Sequence, residues 1–289
     1  MRKRKKALDE YCKQDQTFLK EAEKVYIPMS DGQEIFCQYS ITKDKPSNVV
    51  FFFVQGFASS YFTWSDFWDS MHKKFNLVIV DPRDKKSNVL KKESTCTVNR
   101  MAKDFAEAIK FLNLKEEHLV IFGSSIGASY VAHLVSEIGV KPKMCFLTGP
   151  SRVPRAPLGL LNFFFMFPGF IMNSVGKLVA RLYLMNKVAS GFQKMIFYDR
   201  IKNTDVRRWK HCRKLPIWDA EEDFKKMDVP VRIILTPGDK YHVAEEEYLI
   251  NSIIKECKTI EVPSYDFCHT KPDVDEFANI IEKAIKEIS

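Results

Sequence analysis

Apolar and polar positions along the chain form short blocks that predict strands and helices in turn. Residues 49–54 and 118–122 are apolar runs, as expected of strands buried on both faces of a parallel sheet. Residues 97–112 instead carry apolar side chains on one stripe, which predicts an amphipathic helix. By the same patterns, further strands are predicted at 24–29, 34–41, 76–80, 143–148, 229–235 and 259–262, and further helices at 62–74, 128–138, 243–257 and 273–288.

The order of these elements indicates the class of fold. Strands alternate with helices except between residues 149 and 226, where the alternation stops before it resumes. Such an order is typical of α/β proteins, in which helices cover both faces of a mostly parallel sheet. We therefore predict an α/β core formed by residues 23–150 and 227–289, with an inserted cap at 151–226. Residues 1–22 are predicted to be a basic N-terminal segment that forms a surface helix.

Charge is unevenly distributed along the chain, whose formal net charge is +8. Residues 151–218 contain 13 Lys and Arg against two acidic residues, and residues 2–6 are all basic. The rest of the chain is acidic, so two basic segments are expected to meet something anionic. No nucleic-acid recognition motif accompanies them, and we therefore expect an anionic membrane surface rather than nucleic acid.

The cysteines and the N-terminus indicate the cellular environment. The seven cysteines are scattered, odd in number and without C-x-x-C spacing, which favours reduced thiols over a disulfide framework or a metal site. No apolar stretch follows the basic N-terminus, as a secretory signal would require. We expect a cytoplasmic protein, with peripheral membrane association through its basic segments and with no metal or cofactor.

The sequence Gly-Ser-Ser-Ile-Gly at residues 123–127 lies where a predicted strand ends and a predicted helix begins. Because Gly123 and Gly127 have no side chain, strand, turn and helix can cross closely there. Ser125 is then expected in a strained turn with its hydroxyl exposed, the arrangement known as a nucleophile elbow. A Gly/Ser turn without catalytic function is the alternative.

A serine hydroxyl becomes an effective nucleophile only beside a base that is itself oriented by an acid. Such partners are expected in loops at the carboxyl ends of parallel strands. Asp239 and His269 both meet this condition, since each follows a predicted strand and precedes a predicted helix. Asp266 is a rival for the acid, and Asp239 has the alternative role of capping the helix that follows it.

Residues 45–289 resemble the capped α/β-hydrolases of the esterase and monoacylglycerol-lipase-like kind. The resemblance rests on the elbow and on the chain order Ser125, Asp239, His269. It implies an eight-stranded sheet, with Ser125 as the nucleophile, Asp239 as the acid of the triad and His269 as the base.

The resemblance also implies an oxyanion hole formed by the backbone N–H groups of Phe57 and Ile126. Several positions depart from the residues common in the family, which indicates a divergent member. They are Gln55, where the family usually has His, Ser124, where it often has His, Asp84, where the Asp-x-Arg-Gly loop has Gly, and Cys268, where it often has Gly. Cys268 is expected to be a small packed residue rather than a nucleophile.

The predicted cap begins with a stretch of large apolar residues. Residues 158–172 are nearly all apolar, but the stretch is too short and too interrupted for a membrane-spanning helix. Flanked by basic residues, it suits a lid over an acyl-binding site that also contacts a membrane interface. The alternative is that these side chains merely roof the sheet. The cap residues predicted to contact the substrate are Phe163, Phe164, Phe167, Leu178 and Leu182.

The leading functional hypothesis is a serine hydrolase that cleaves a carboxylic ester, or a thioester, with an apolar acyl group through an acyl-enzyme intermediate. The same residues would serve equally for an amide or a C–C bond. A hypothesis of another class is a non-catalytic lipid- or membrane-binding protein that keeps the fold, which the departures from the family pattern motivate.

Overall fold

A computed structural model describes most of the chain. It covers residues 16–91, 94–153, 191–203, 206–212, 214–236 and 244–288, together with positions 159, 162, 163, 166–168, 171, 173–175, 177, 178 and 182. All structural statements below concern these residues.

Eight strands form one sheet in the order β1-β2-β4-β3-β5-β6-β7-β8. The first two strands form an antiparallel hairpin, and β2 is antiparallel to β4. From β4 across to β8 every neighbouring pair is parallel. The predicted α/β class with a mostly parallel, eight-stranded sheet is confirmed. The strands are β1 Glu23–Pro28, β2 Glu34–Ser40, β3 Val50–Val54, β4 Asn76–Val80, β5 Leu119–Ser124, β6 Met144–Thr148, β7 Val231–Leu235 and β8 Cys257–Glu261.

Helices cover both faces of this sheet. They are α1 Thr17–Glu21, α2 Tyr61–His72, α3 Val98–Phe111, α4 Ile126–Ser136, α5 Gly191–Asn203, α6 Glu221–Lys225, α7 Ala244–Ile253 and α8 Asp273–Lys286. Short 3₁₀ turns occur at Glu116–His118, Val206–Cys212, Leu215–Ile217 and Asp266–Cys268. Helix α3 begins after Thr97, whose hydroxyl accepts the Arg100 N–H at 3.2 Å and caps the helix.

The core has two layers, one on each face of the sheet. Helices α3, α4 and α7 pack against one face, and α2 and α8 pack against the other. Consecutive phenylalanines of β3 alternate between them, since Phe52 joins the first layer while Phe51 and Phe53 join the second. The Phe53 ring stacks on Phe122 of β5 at 5.1 Å between centroids. This alternation explains the unbroken apolar run, because both faces are buried.

The described part of the N-terminal helix packs against the core through one buried side chain. This part, α1, places Phe18 in the core, where the ring meets Trp68 and His72 of α2. The Phe18 N–H also donates to the Asp69 carboxylate at 2.8 Å. This end of the segment is therefore docked against α2 by its aromatic residue. Residues 1–15 lie outside the described residues.

The described part of the predicted cap contacts α2. Phe62 of α2 is buried against Ile196 of α5, and its ring lies 6.1 Å from Phe192. The Val206–Cys212 turn contacts the loop after β3 through Trp209 and Phe57, whose ring centroids are 5.1 Å apart. These contacts bring α5 and the turn to the carboxyl edge of the parallel strands. Among the helices that the structure describes, none combines the length and the apolar character needed to cross a membrane.

Candidate active site

Ser125 lies in the sharp turn between β5 and α4. Its backbone has φ 54° and ψ −126°, a left-handed conformation that is strained for any residue other than glycine. The Ser125 N–H donates to the Thr148 carbonyl of β6 at 2.8 Å, which holds the turn against the sheet. Ser125 is half-buried, whereas its neighbours in β5 and α4 are buried. The turn therefore has the strained geometry of the elbow that the sequence predicted.

The two glycines of the elbow are required by close contacts. A Cβ atom on Gly123 would lie 2.9 Å from the Cα atom of Ala128, and one on Gly127 would lie 2.6 Å from the Val54 carbonyl oxygen. The latter distance is far below van der Waals contact, so the end of β3 leaves no room for a side chain. The elbow and the end of β3 are thus packed backbone against backbone.

The loop that follows β3 also touches the elbow. A Cβ atom on Gly56 would lie 3.2 Å from the Ser125 Cβ atom and 2.9 Å from the Ser124 carbonyl oxygen. Phe57, one of the two candidate oxyanion donors, is the next residue along this loop. Ile126, the other, is the first residue of α4, where N–H groups have no intrahelical acceptor and the helix dipole is positive. Both candidate donors therefore adjoin the candidate nucleophile.

His269, the candidate base, is enclosed by aromatic rings. It is 3% exposed and lies edge-on to Trp64 and Tyr265, with ring centroids 4.1 Å and 4.2 Å away. The backbone N–H of His269 donates to the backbone carbonyl of Asp266 at 3.0 Å, at the end of a 3₁₀ turn that follows β8. Trp64 also meets Phe122, three residues before Ser125, at 5.7 Å. The Trp64 side chain thus connects the strand of the elbow to the imidazole.

The candidate acid, Asp239, lies outside the described residues, and its role remains a prediction. Asp266, the rival for the acid, contacts this region through its backbone. Its backbone carbonyl accepts the backbone N–H groups of His269 and Thr270. Cys268 is buried in the layer of α8, as expected of a small packed residue.

The cap residues predicted to contact the substrate have different surroundings. Phe163, Leu178 and Leu182 are 56%, 56% and 60% exposed, whereas residues that line an enclosed acyl pocket would be largely buried. Phe167 is half-buried, with its ring 5.1 Å from that of Phe163. Phe164 lies outside the described residues. Three of the four described residues, Phe163, Leu178 and Leu182, therefore place most of their apolar surface toward solvent.

Other aromatic side chains contact the candidate base and the candidate donor Phe57, and sequence reasoning did not assign them. Phe192 of α5 meets the His269 ring at 6.5 Å, and Trp209 meets Phe57. With Trp64 and Tyr265 they form an apolar wall beside the imidazole and the candidate oxyanion loop, which is the loop after β3 that contains Gly56 and Phe57. Of these four, only Trp64 lies in the aromatic-rich residues 62–74, whose pattern predicted a helix without indicating its buried face.

A buried polar network holds Gln55, which stands where the α/β-hydrolases that the sequence resembles usually have histidine. The Gln55 amide donates to one oxygen of the Asp81 carboxylate at 2.7 Å, and the Tyr61 hydroxyl donates to the other at 2.9 Å. Burial raises the pKa of Asp81, although hydrogen bonds from Ser87 and Tyr61 and the charge of Lys85 oppose that rise. Burial, together with Asp81, also raises the pKa of Tyr61. Gln55 thus anchors the start of the candidate oxyanion loop to the residue that follows β4.

Comparisons of structure find similar solved proteins over nearly the whole chain. An esterase from Exiguobacterium antarcticum matches with a TM-score of 0.74 and 12% identity, over 91% of this chain and 100% of the esterase. A thermophilic esterase from Thermogutta terrifontis matches with a TM-score of 0.75 and 14% identity, over 92% and 99%. An enol-lactonase from Burkholderia xenovorans matches with a TM-score of 0.73 and 12% identity, over 90% and 98%.

By sequence, no protein-family model and no curated protein matches the chain. At 12–14% identity the solved structures establish the fold. Together with the strand order and the elbow, they support one assignment. The chain has the α/β-hydrolase fold, as its resemblance to the α/β-hydrolases implied.

Proposed function

We propose that the protein is a serine hydrolase that cleaves a carboxylic ester with an apolar acyl group. The observation that carries the proposal is the strained elbow at Ser125, packed directly against the loop that holds Phe57. A serine on such a turn, beside two backbone donors, is an arrangement suited to acyl transfer. The solved esterases and the enol-lactonase with this fold support ester chemistry.

In the proposed reaction the Ser125 hydroxyl attacks the ester carbonyl while His269 accepts its proton. Asp239 holds the imidazole in the required orientation. The N–H groups of Phe57 and Ile126 donate to the oxyanion of the tetrahedral intermediate. His269 then returns the proton to the leaving alcohol, which leaves an acyl-enzyme. A water molecule activated by His269 hydrolyses that acyl-enzyme and regenerates Ser125.

The aromatic wall supports an apolar substrate. Phe192, Trp209 and Tyr265 place apolar surface around the imidazole and the oxyanion loop, where the acyl or alcohol group of a bound ester would lie. Burial of such a group is favourable by about 25 cal/mol per Å² of apolar surface. The ratio kcat/KM should therefore rise with acyl length until additional carbons no longer reach this aromatic surface.

The test combines covalent labelling with a chain-length series of p-nitrophenyl esters. A fluorophosphonate probe should label the wild type, and Ser125→Ala should abolish both labelling and turnover. Ser136→Ala, at the far end of the same helix, makes the same chemical change and should leave both intact. Equal ester turnover by Ser125→Ala, or no adduct on the folded wild type, contradicts the proposal. Amides with the same acyl groups test the alternative bond.

A second proposal concerns the exposed apolar side chains of the cap. Met166 is 81% exposed, and Phe163, Leu178 and Leu182 are each more than half exposed. Several exposed apolar side chains in one basic segment are typical of contact with an anionic lipid surface. The cap would then rest on the membrane from which an apolar ester is drawn.

Vesicle co-sedimentation tests this contact. Met166→Glu and Leu182→Glu should each reduce binding to vesicles that contain phosphatidylserine. Phe111→Glu is the matched control, because Phe111 is also about half exposed but lies at the end of α3. If binding is the same for vesicles with and without the anionic lipid, the electrostatic part of the proposal is wrong.

A further inference from the structure

The loop after β4 holds the candidate oxyanion loop through buried charged side chains. The Lys85 ammonium group donates to the Gly56 carbonyl at 3.0 Å and to the Ser59 carbonyl at 2.7 Å. The Asp84 carboxylate accepts the Ala58 N–H at 2.8 Å. Lys85 is 9% exposed and Asp84 is 3% exposed, so both interactions are shielded from solvent. We infer that Lys85, assisted by Asp84, is a positioning residue for the oxyanion hole, an inference that rests on the proposed function.

The hydrogen bond from Lys85 to the Gly56 carbonyl also determines where the Phe57 N–H points. The Gly56 carbonyl and the Phe57 N–H belong to the same planar peptide group, and in a trans peptide they point in opposite directions. By holding the Gly56 carbonyl, Lys85 therefore fixes the direction of the Phe57 N–H. Rotation of this peptide would turn the donor away from the oxyanion and would break the hydrogen bond to Lys85.

The backbone on the other side of Phe57 is held as well. Ala58 has φ 53°, a left-handed conformation that is unfavourable for alanine. Its N–H is bonded to Asp84, and the Ser59 N–H donates to the Gly56 carbonyl at 3.2 Å. Phe57 thus lies between two peptide groups that are held by hydrogen bonds to Lys85 and Asp84. Without those bonds we expect the left-handed turn at Ala58 to change conformation. Asp84 is one of the departures from the family pattern, since a glycine there has no carboxylate to offer.

Burying a lysine side chain costs desolvation free energy, which stabilising a turn does not ordinarily require. Burial lowers the pKa of Lys85, while the nearby carboxylates of Asp84 and Asp81 oppose that fall and the charge of Arg200 adds to it. Its ammonium group lies 3.5 Å from the Asp84 carboxylate, which compensates part of the desolvation. Since buried ion pairs contribute little net stability, the arrangement is better explained by the orientation it imposes.

The described cap contacts the same two loops. The Arg208 guanidinium donates to the Lys85 and Asn88 carbonyls, both at 2.9 Å, and the neighbouring Trp209 packs on Phe57. The Val206–Cys212 turn therefore holds the backbone of Lys85 from one side and the side chain of Phe57 from the other. Lys85 lies between the cap and the donor that it orients.

The experiment compares Lys85→Met, which keeps the apolar stem but loses the donor, with Lys85→Arg, which keeps a donor. With p-nitrophenyl esters, Lys85→Met should lower kcat by about 10- to 100-fold and change KM by less than about 3-fold. Lys85→Arg should restore a substantial part of kcat. The matched control is Lys45→Met, since Lys45 also donates to a backbone carbonyl, that of His72 at 2.5 Å, but away from the site.

A second readout separates positioning from general structure. A trifluoromethyl ketone, which forms an oxyanion adduct, should bind Lys85→Met more weakly in proportion to the fall in kcat, whereas the carboxylic acid product should bind as before. If Lys85→Met does not fold, Lys85→Gln gives the same test, because its shorter amide cannot reach both carbonyls.

The inference is overturned if the folded Lys85 variants keep kcat within about 2-fold of the wild type, or if Lys45→Met lowers kcat equally. It is also overturned if binding of the ketone and of the product weakens to the same extent. These results are distinct from failure of the proposed function, in which the wild type itself shows no labelling and no turnover above Ser125→Ala.

Discussion

At Gly127 the backbone of α4 passes so close to the end of β3 that no side chain fits between them. Gly127→Ala places a methyl group 2.6 Å from the Val54 carbonyl oxygen, and backbone cannot yield as a flexible side chain can. We expect the free energy of unfolding to fall by about 1–3 kcal/mol, and ester turnover to fall further because Ser125 and Phe57 are displaced from each other. Urea denaturation and steady-state kinetics measure the two effects.

Gly191→Ala is the control for this substitution. A Cβ atom on Gly191 has no neighbour within 4 Å, so the unfolding free energy should change by less than about 1 kcal/mol. If Gly127→Ala is as stable and as active as Gly191→Ala, the elbow does not need the close approach of β3.

The residues around Ser125 also show where sequence reasoning stops. The elbow could be predicted because all five of its residues are adjacent in the chain. The replacement of the family's histidine by Gln55 could be noticed, but its partner Asp81 lies 26 residues away, and no local pattern pairs them. The same holds for Asp84 and the Ala58 N–H. A side chain that supports a loop from another loop is recognisable only once the fold brings the two together.

At the scale of elements, apolar runs and stripes predicted every strand of the sheet, with strand boundaries correct to within two residues. The predicted helix at 243–257 ends at Ile253, and β8 begins at Cys257 instead of residue 259. As an edge strand β8 pairs only with β7 and is largely exposed, so it lacks the apolar run of a central strand. The aromatic helix α2 was predicted, but the contact of its Trp64 ring with His269 was not. That contact depends on tertiary packing, which the periodicity of the sequence does not indicate.

One element contact has a pH dependence that can be measured. Glu282 of α8 binds Lys74 after α2 and Lys286 on its own helix, each at 2.6 Å. Hydrogen bonds from Lys286 and Lys74 lower the pKa of Glu282 below its ordinary value of 4.5. The ionised carboxylate therefore contributes stability that is complete above pH 4.5 and is lost as the pH falls through the lowered pKa.

Glu282→Gln should reduce the unfolding free energy at neutral pH by less than about 1 kcal/mol, because solvent screens this partly exposed pair. The difference from the wild type should shrink as the pH is lowered toward about 3. Urea denaturation across this range is the measurement, with the exposed Glu261→Gln as control. A difference that is constant with pH would show that the effect comes from packing rather than charge.

At the scale of the whole molecule, charge and apolar exposure occur in the same segment. The net charge of +8 is concentrated in the predicted cap and the N-terminus, while the described cap exposes Phe163, Met166 and Leu182. The candidate active site lies at the edge of the sheet that α5 and the Val206–Cys212 turn cover. If the cap binds a bilayer, the lipid would thus lie on the same side of the molecule as the candidate active site.

This arrangement predicts that salt affects the two kinds of substrate differently. Raising the ionic strength from about 0.1 M to 1 M shortens the Debye length from about 10 Å to 3 Å, which weakens the attraction of basic residues to anionic lipid. Binding to phosphatidylserine vesicles, and hydrolysis of a long-chain ester embedded in them, should fall together. Hydrolysis of a short, water-soluble ester should stay nearly constant, because its chemistry occurs in a largely buried site.

Neutral phosphatidylcholine vesicles provide the control for this prediction. The apolar side chains of the cap act there without an electrostatic partner, so binding should be weaker at low salt and nearly independent of ionic strength. If the soluble ester loses turnover in parallel with the embedded one, salt acts on the catalytic site itself. The membrane role of the basic cap would then be contradicted, while the assignment of Ser125 as nucleophile would stand on its labelling alone.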